Sequence, residues 1–376
     1  MSENVMDPFD KAIKDPGQYA AEWTHKTGRK AVGVFPNYFP VELLDAAGIL
    51  AVGLWGHEGP VGKADAHLQP FICTLLKSNF ELALDGKLAA LSGAVFPKIC
   101  DSVQNSEGIW KRLFPDQFTA RYRISQSPES QGAPAFMREE IDRLVEEIQT
   151  YFGVEIHPFD LTEAIIRRNR VRSMVRQISE RFYGGNLPIT AKDYFWMIKA
   201  AHIMDPDDWM PAAGQVLGTP PSMEFGGTRV MLSGMTCEPW WILETLERID
   251  ASVVADDLAF AGRAFAKDVD DQGDPFDALA KYTLDLNPCG NLHFQNKDRG
   301  DWLVEQAKKA KASGVIFTRL KFCDPEAFDH VYLKEKLDAA KIPSLLIESE
   351  LSGSDVGSAQ TRIEAFIETL ETGDAS

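Results

Sequence analysis

The sequence predicts an α/β protein of two Rossmann- or flavodoxin-like lobes with parallel sheets, joined by a helical middle segment. Three observations carry this expectation. Short apolar, β-rich runs alternate with helical segments early and late in the chain, and such alternation places helices against parallel strands. The stretch between them shows helical periodicity instead. Two phrases also rhyme, Lys98-Ile99-Cys100-Asp101 and Lys321-Phe322-Cys323-Asp324, each behind a strand-like run and ahead of a helix.

Residues 1–29 read as an N-terminal helical extension that is acidic and polar at its start, without an apolar signal segment. The first lobe, 30–135, has candidate strands at 30–35, 49–54, 91–96 and 118–123. Between the first two, residues 40–47 read as a helix with Pro40 early and Gly48 just past its end. A second helix, 75–84, closes on Asp85-Gly86, and a polar Ser/Gln/Pro-rich stretch at 125–134 reads as a connection. The helical segment, 136–213, contains helices at 137–151, 161–182 and 191–204. Arg167, Arg168, Arg170, Arg172 and Arg176 crowd the second of these. Such a run reads first as a solvated face, and more sharply as a surface for cofactor phosphates or a partner subunit. A Gly/Pro-rich hinge, 214–227, introduces the second lobe, 214–376, with strands at 228–233, 251–255, 314–318 and 344–348. Asp324-Pro325 gives a helix an N-cap acid and a first-turn proline. The last helix, 358–370, gathers Ile363, Phe366, Ile367 and Leu370 on one face.

A net charge of −17 over 376 residues argues against broad contact with nucleic acid or anionic membranes, which need basic patches. The longest apolar run, 46–56, is too short to span a bilayer, so the expectation is a soluble, cytoplasmic protein. No phosphate-binding GxxxxGK[ST] and no strand followed by GxGxxG is present, so the chain is not by itself an ATP or NAD enzyme. The five cysteines are odd in number, widely spaced and free of any CxxC pair, unlike a disulfide scaffold.

Cys100 and Cys323 sit where strands end and helices begin, where free backbone N–H groups and the helix dipole favour a thiolate. One such cysteine reads best as a small buried hydrophobe. Two in matched contexts point to metal ligation. Cys73, in Pro70-Phe71-Ile72-Cys73-Thr74, precedes another helix and could converge with Cys100 at the same sheet edge. Cys237 and Cys289 lack this context. Spacing does not separate zinc from iron–sulfur, although thiolates without a partner histidine lean towards a cluster.

The run from Phe39-Pro40-Val41-Glu42-Leu43-Leu44-Asp45-Ala46-Ala47-Gly48 into Leu54-Trp55-Gly56 resembles the N-terminal signature of the 2-hydroxyacyl-CoA dehydratase / benzoyl-CoA reductase family. The likeness continues through Cys73, Phe96-Pro97-Lys98-Ile99-Cys100-Asp101-Ser102, Phe322-Cys323-Asp324 and Gln360-Thr361-Arg362-Ile363-Glu364-Ala365-Phe366. It implies a [4Fe–4S] cluster held by Cys73, Cys100 and Cys323, with Cys237 and Cys289 outside the ligand set. It also implies a larger homologous catalytic subunit as partner, ATP-hydrolysing iron–sulfur activator subunits, and ferredoxin as electron source.

Within that family, dehydratases eliminate water from a 2-hydroxyacyl-CoA through a ketyl radical, and benzoyl-CoA reductases reduce the aromatic ring to a cyclic dienoyl-CoA. The shortness of the chain and the wording around Cys73 and Cys100 are most similar to the smaller catalytic-module subunit of ATP-dependent (class I) benzoyl-CoA reductase. An aromatic acyl-CoA is therefore the first substrate expected, and 2-hydroxyacyl-CoA dehydration the alternative. Ring reduction needs proton donors in a dry site, and His57 and Glu58, just past a strand end, are the candidates. Ser233, Thr236 and Glu238 are candidates for contacting the thioester or the CoA arm.

Overall fold

The computed structural model describes residues 5–36, 38–221, 226–286, 290, 292, 294, 296–353 and 356–373. Among these, the early apolar runs become β1 (Ala31–Val34), β2 (Leu50–Gly53), β3 (Leu91–Lys98) and β4 (Phe118–Arg123). The late ones become β5 (Thr228–Gly234), β6 (Ala251–Leu258), β7 (Gly314–Leu320) and β8 (Ser344–Ser349). Each set closes into a parallel four-stranded sheet, ordered β2-β1-β3-β4 and β6-β5-β7-β8. Strand for strand the two orders are the same, so the rhyming cysteine phrases occupy equivalent positions, after β3 and after β7. In both sheets the order reverses beside the first strand, and open α/β sheets take ligands at such a switch point, outside the carboxyl ends of the strands.

Helices fill the connections. The first lobe carries α1 (Asp7–Lys14), α2 (Pro16–Thr27), α3 (Glu42–Ala46), α4 (Thr74–Leu84) and α5 (Asp101–Leu113). The middle is α6 (Ala133–Phe152), α7 (Pro158–Tyr183), α8 (Ala191–Ala201) and α9 (Pro206–Leu217). The second lobe adds α10 (Trp241–Arg248), α11 (Pro275–Leu284), α12 (Arg299–Lys309), α13 (Asp324–Ala339) and α14 (Val356–Gly373). Side-chain chemistry marks their starts: Asp15 accepts from the Gln18 N–H at α2, and Thr190 forms a capping box with Asp193 at α8. Gly28 and Gly153 end α2 and α6 in the left-handed conformation.

Three details differ from the sequence reading. The helix expected at 40–47 is shorter, because Pro40 and Val41 form its entry turn and α3 begins at Glu42. The helix α9, capped by Asp205 with Pro206 in its first turn, carries the chain past the 213/214 boundary to Leu217. The arginine-rich helix is not simply a solvated face. Arg168 and Arg172 are buried and pair with Asp45 at 2.6 Å and Glu42 at 2.5 Å, so α7 is fastened to α3 by charge taken out of water. Arg170 remains exposed.

One hydrophobic core runs through both lobes and the helical middle, with a smaller one under β7 between α12 and α13. Beneath the first sheet Phe35 stacks on Phe96 at 4.5 Å, and Trp110 meets both edge-on. At the end of β5, Gly234 has φ 147°, and a Cβ there would lie 2.2 Å from the Thr318 carbonyl oxygen. Only glycine lets β5 and β7 run side by side to their ends. Among the described residues no helix is long and apolar enough to cross a membrane.

Candidate functional site

Cys73, Cys100 and Cys323 are the N-cap residues of α4, α5 and α13. Each ends a connection leaving the carboxyl edge of a sheet, and together they line one cavity. Its remaining walls are mostly apolar, with Leu75, Leu76, Ile99, Val103, Met235 and Leu320 among them. Three residues far apart in the chain therefore meet at the joint between the lobes, two from the first and one from the second.

Their electrostatics differ. The Cys323 thiol faces the Cys73 sulfur and lowers the Cys73 pKa, with the first-turn amides of Leu75 and Leu76 adding to the effect against burial. Cys323 is correspondingly pushed up, first by Cys73 and then by burial. Cys100 feels Cys73 only through its charge and is raised to about 11, chiefly by burial. Among the described residues no group of three or more His, Cys, Asp or Glu side chains is placed to hold a metal ion. The three sulfurs instead border a shared space at three helix N-termini, where amide dipoles favour negative charge. Burial at Cys100, and Cys73 together with burial at Cys323, keep both as thiols here, against the thiolates expected from their helix starts. Three sulfurs in apolar surroundings with no histidine beside them are a set that could hold a soft metal or a cluster. Cys237 is fully buried in the core away from this cavity, and Cys289 lies outside the described residues.

A second, larger cavity of about 130 Å³ opens between the lobes and shares Pro36 with the first. Phe35, Phe39, Trp55 and Phe265 give it aromatic walls, and His202 lies among them. Sequence reading missed His202, since it lies on the helical middle near the end of α8, with no motif around it. Its Nε2 lies 2.7 Å from the Phe260 carbonyl oxygen, so Nε2 carries the hydrogen and Nδ1 the lone pair. Burial pushes its pKa down to about 4, and Trp55 and Phe265 pack on the ring at 5.1 and 4.9 Å.

Because the unfolded chain takes up this proton near the ordinary 6.5 and the folded chain only near 4, stability falls as pH drops through that window. The contribution is up to about 3 kcal/mol. His57 and His330 are shifted the same way, so the check is a comparison. Urea midpoints between pH 4 and 6.5 should fall less steeply for His202→Gln than for the unaltered chain, and parallel curves would refute the assignment.

The other sequence candidates lie elsewhere. The His57 backbone N–H donates to Ser78 Oγ at 3.0 Å, and its ring lines a small surface pocket with Lys14, Asp15 and Lys87. The Glu58 carboxylate accepts the Trp240 N–H at 2.6 Å and so caps the entry of α10. Burial raises its pKa, with nearby Glu238 adding to the rise. Neither residue lines the cysteine cavity or the larger cleft.

Ser233, Thr236 and Glu238 are fully buried and already engaged. Ser233 Oγ donates to Asp257 at 3.0 Å, Thr236 Oγ1 donates to Glu238 at 3.1 Å, and Lys199 pairs with Glu238 at 2.6 Å. These contacts tie the ends of β5 and α8 together, and none of the three lines either cavity.

The chain is 30% identical over 374 residues to the (R)-phenyllactyl-CoA dehydratase beta subunit of Clostridium sporogenes, covering 98% of this chain and 99% of that one. It is 29% identical to the (R)-2-hydroxyglutaryl-CoA dehydratase subunit beta of Acidaminococcus fermentans, covering 97% and 99%. A benzoyl-CoA reductase subunit of Thauera aromatica is 26% identical, with 86% of each chain covered. The family model described as 2-hydroxyglutaryl-CoA dehydratase, D-component, matches residues 36–370, and the chain belongs to that family.

Proposed function

We propose that the chain is the iron–sulfur subunit of a complex acting on a 2-hydroxyacyl-CoA, with Cys73, Cys100 and Cys323 as the protein ligands of a [4Fe–4S] cluster. One observation carries the reading: three cysteines distant in sequence cap three helices around one apolar cavity at the joint of two parallel sheets. When bound, such a group supplies single electrons at low potential.

The protein's own contribution is environment and position. Leu75, Leu76, Ile99 and Leu320 give the sulfurs apolar walls, and the amides opening α4, α5 and α13 favour negative charge beside them. The adjoining cleft is suited to an apolar or aromatic acyl group, held between the rings of Phe35, Phe39, Trp55 and Phe265. The His202 Nδ1 lone pair accepts a hydrogen bond there, and the Phe260 carbonyl keeps the ring in that tautomer.

The dehydratase branch ranks first because the family description and relatives at 29–30% identity carry dehydratase names. Ring reduction of benzoyl-CoA, the first expectation from sequence, is the second reading, supported by the likeness to the benzoyl-CoA reductase subunit. All three of these relatives are named as one subunit of an enzyme, which supports a partner subunit, and a larger homologous one is the reading from sequence. An ATP-hydrolysing activator, fed by ferredoxin, would be a separate protein, since this sequence carries no phosphate-loop motif.

The test is anaerobic purification with the partner subunit. About four irons per chain are expected, with loss of most of that iron in Cys100→Ser while the fold persists. Turnover should occur on a 2-hydroxyacyl-CoA with electrons needed only in catalytic amount, whereas reduction of benzoyl-CoA consumes electrons in proportion to product. Iron-free protein would refute the cluster, and benzoyl-CoA turnover alone would select the second reading.

A further inference from the structure

We propose that Phe322 guards the cysteine cavity, its ring held in a strained turn so that access to Cys73, Cys100 and Cys323 is limited by size. The chain makes a β-turn at the end of β7, where the Cys323 N–H donates to the Leu320 carbonyl at 3.1 Å. Phe322 is the third residue of that turn, with φ 64°, a left-handed position that favours glycine or asparagine over a bulky side chain. The Lys-x-Cys-Asp phrase does not demand it, since Ile99 holds the matching place before Cys100 and is not left-handed. Helix ends do not explain it either. Asp250, Lys311 and Lys341 are left-handed because each follows the C-cap of a helix. Among the described residues the one other left-handed residue besides glycine is Tyr38, with φ 74°, which follows β1 and lines the larger cleft. Outside helix ends, then, the strained residues are two aromatics, one at each cavity, and such strain marks positions kept for function.

The position of the ring shows what that function is. Phe322 is the only aromatic side chain among the described residues lining the cysteine cavity. Leu75, Leu76, Ile99, Val103, Met235 and Leu320 line it as buried walls, whereas Phe322 is 40% exposed. It therefore stands between the cavity and solvent. Lys321 packs over the ring, its ammonium 5.9 Å from the centroid, and pairs with Glu350 at 2.8 Å. The Lys321 N–H donates to the Ser349 carbonyl at 2.8 Å, which ties the turn to the end of β8. Glycine would keep this turn without strain and would leave the mouth open.

The test uses the full-length chain, stripped of metal by a chelator and kept reduced and anaerobic. It is labelled with iodoacetamide or with bulky fluorescein maleimide, then mapped by peptide. In Phe322→Gly and Phe322→Ala the maleimide is expected to label the three cavity cysteines about tenfold faster, since thiol reactivity follows exposure. Iodoacetamide rates should change less, and Phe322→Tyr should keep the protection. The urea midpoint of Phe322→Gly should lie above that of Phe322→Ala, the reverse of the order at an ordinary position, because glycine alone relieves the left-handed strain. Unchanged maleimide rates would overturn the proposal. So would an equal rise at Cys237, which is fully buried and reports a loosened fold. A Phe322→Ala midpoint at or above that of Phe322→Gly would refute the strained turn. Labelling is read without iron, so the result stands apart from whether a cluster binds.

Discussion

Replacing Arg299 with Met is expected to lower the free energy of unfolding by about 3–5 kcal/mol, the cost of breaking one side of a buried ion network. Arg299 opens α12 and reaches Asp257 at 2.8 Å, Glu326 at 3.1 Å and Asp329 at 2.6 Å. The Asp257 side chain is 0% exposed and that of Glu326 6%, so water cannot replace the lost guanidinium. Arg263 reaches Asp257 at 3.3 Å and Glu326 at 3.1 Å, which offsets only part of the loss.

Glu326 lies in the first turn of α13, whose N-cap is Cys323, so the network also anchors a corner of the cysteine cavity. Urea unfolding measures the effect as a fall in midpoint at constant slope. Lys334→Met is the control, since its pair with Asp338 is half exposed on both sides and exposed pairs contribute little, about 1 kcal/mol at most. Equal midpoints for the two variants would show that the network does not carry the second lobe.

Lys199→Met is expected to cost a similar amount, about 3–5 kcal/mol, and at a different place. The Lys199 ammonium pairs with Glu238 at 2.6 Å and donates to the Gly56 carbonyl at 3.2 Å, and both charged side chains are nearly inaccessible, at 4% and 2%. Gly56 follows β2 in the first lobe and Glu238 follows β5 in the second, so one ammonium from the helical middle holds both strand ends. Among the described residues its removal leaves the Glu238 carboxylate with only the Thr236 hydroxyl, beside Glu58, whose carboxyl is already raised by burial and by Glu238.

The double variant Lys199→Met, Glu238→Gln should recover part of the loss, because the uncompensated charge is gone. A double-mutant cycle reads that recovery as a coupling energy. Additive losses would mean that Lys199 acts by packing its stem and not by its charge.

The fold was written in local pattern. Alternating strand and helix signals, with turn residues at their borders, determine two parallel lobes because each signal depends on neighbours a few residues away. The repeated Lys-x-Cys-Asp phrase was legible for the same reason: a strand end, a thiol and a helix start are adjacent in sequence. Its gathering with Cys73 was only an expectation until the lobes were packed.

What tertiary structure alone decided is which charges and rings face inward. Arg168 and Arg172 look like a solvated row because their partners, Asp45 and Glu42, lie on a helix more than a hundred residues earlier. Ser233, Thr236 and Glu238 look like a substrate turn until Asp257 and Lys199 occupy them. His202 carries no motif, and its lowered pKa comes from walls supplied by both lobes. Propensity and periodicity are short-range and survive in the sequence, whereas burial of a charge is a property of the assembled chain.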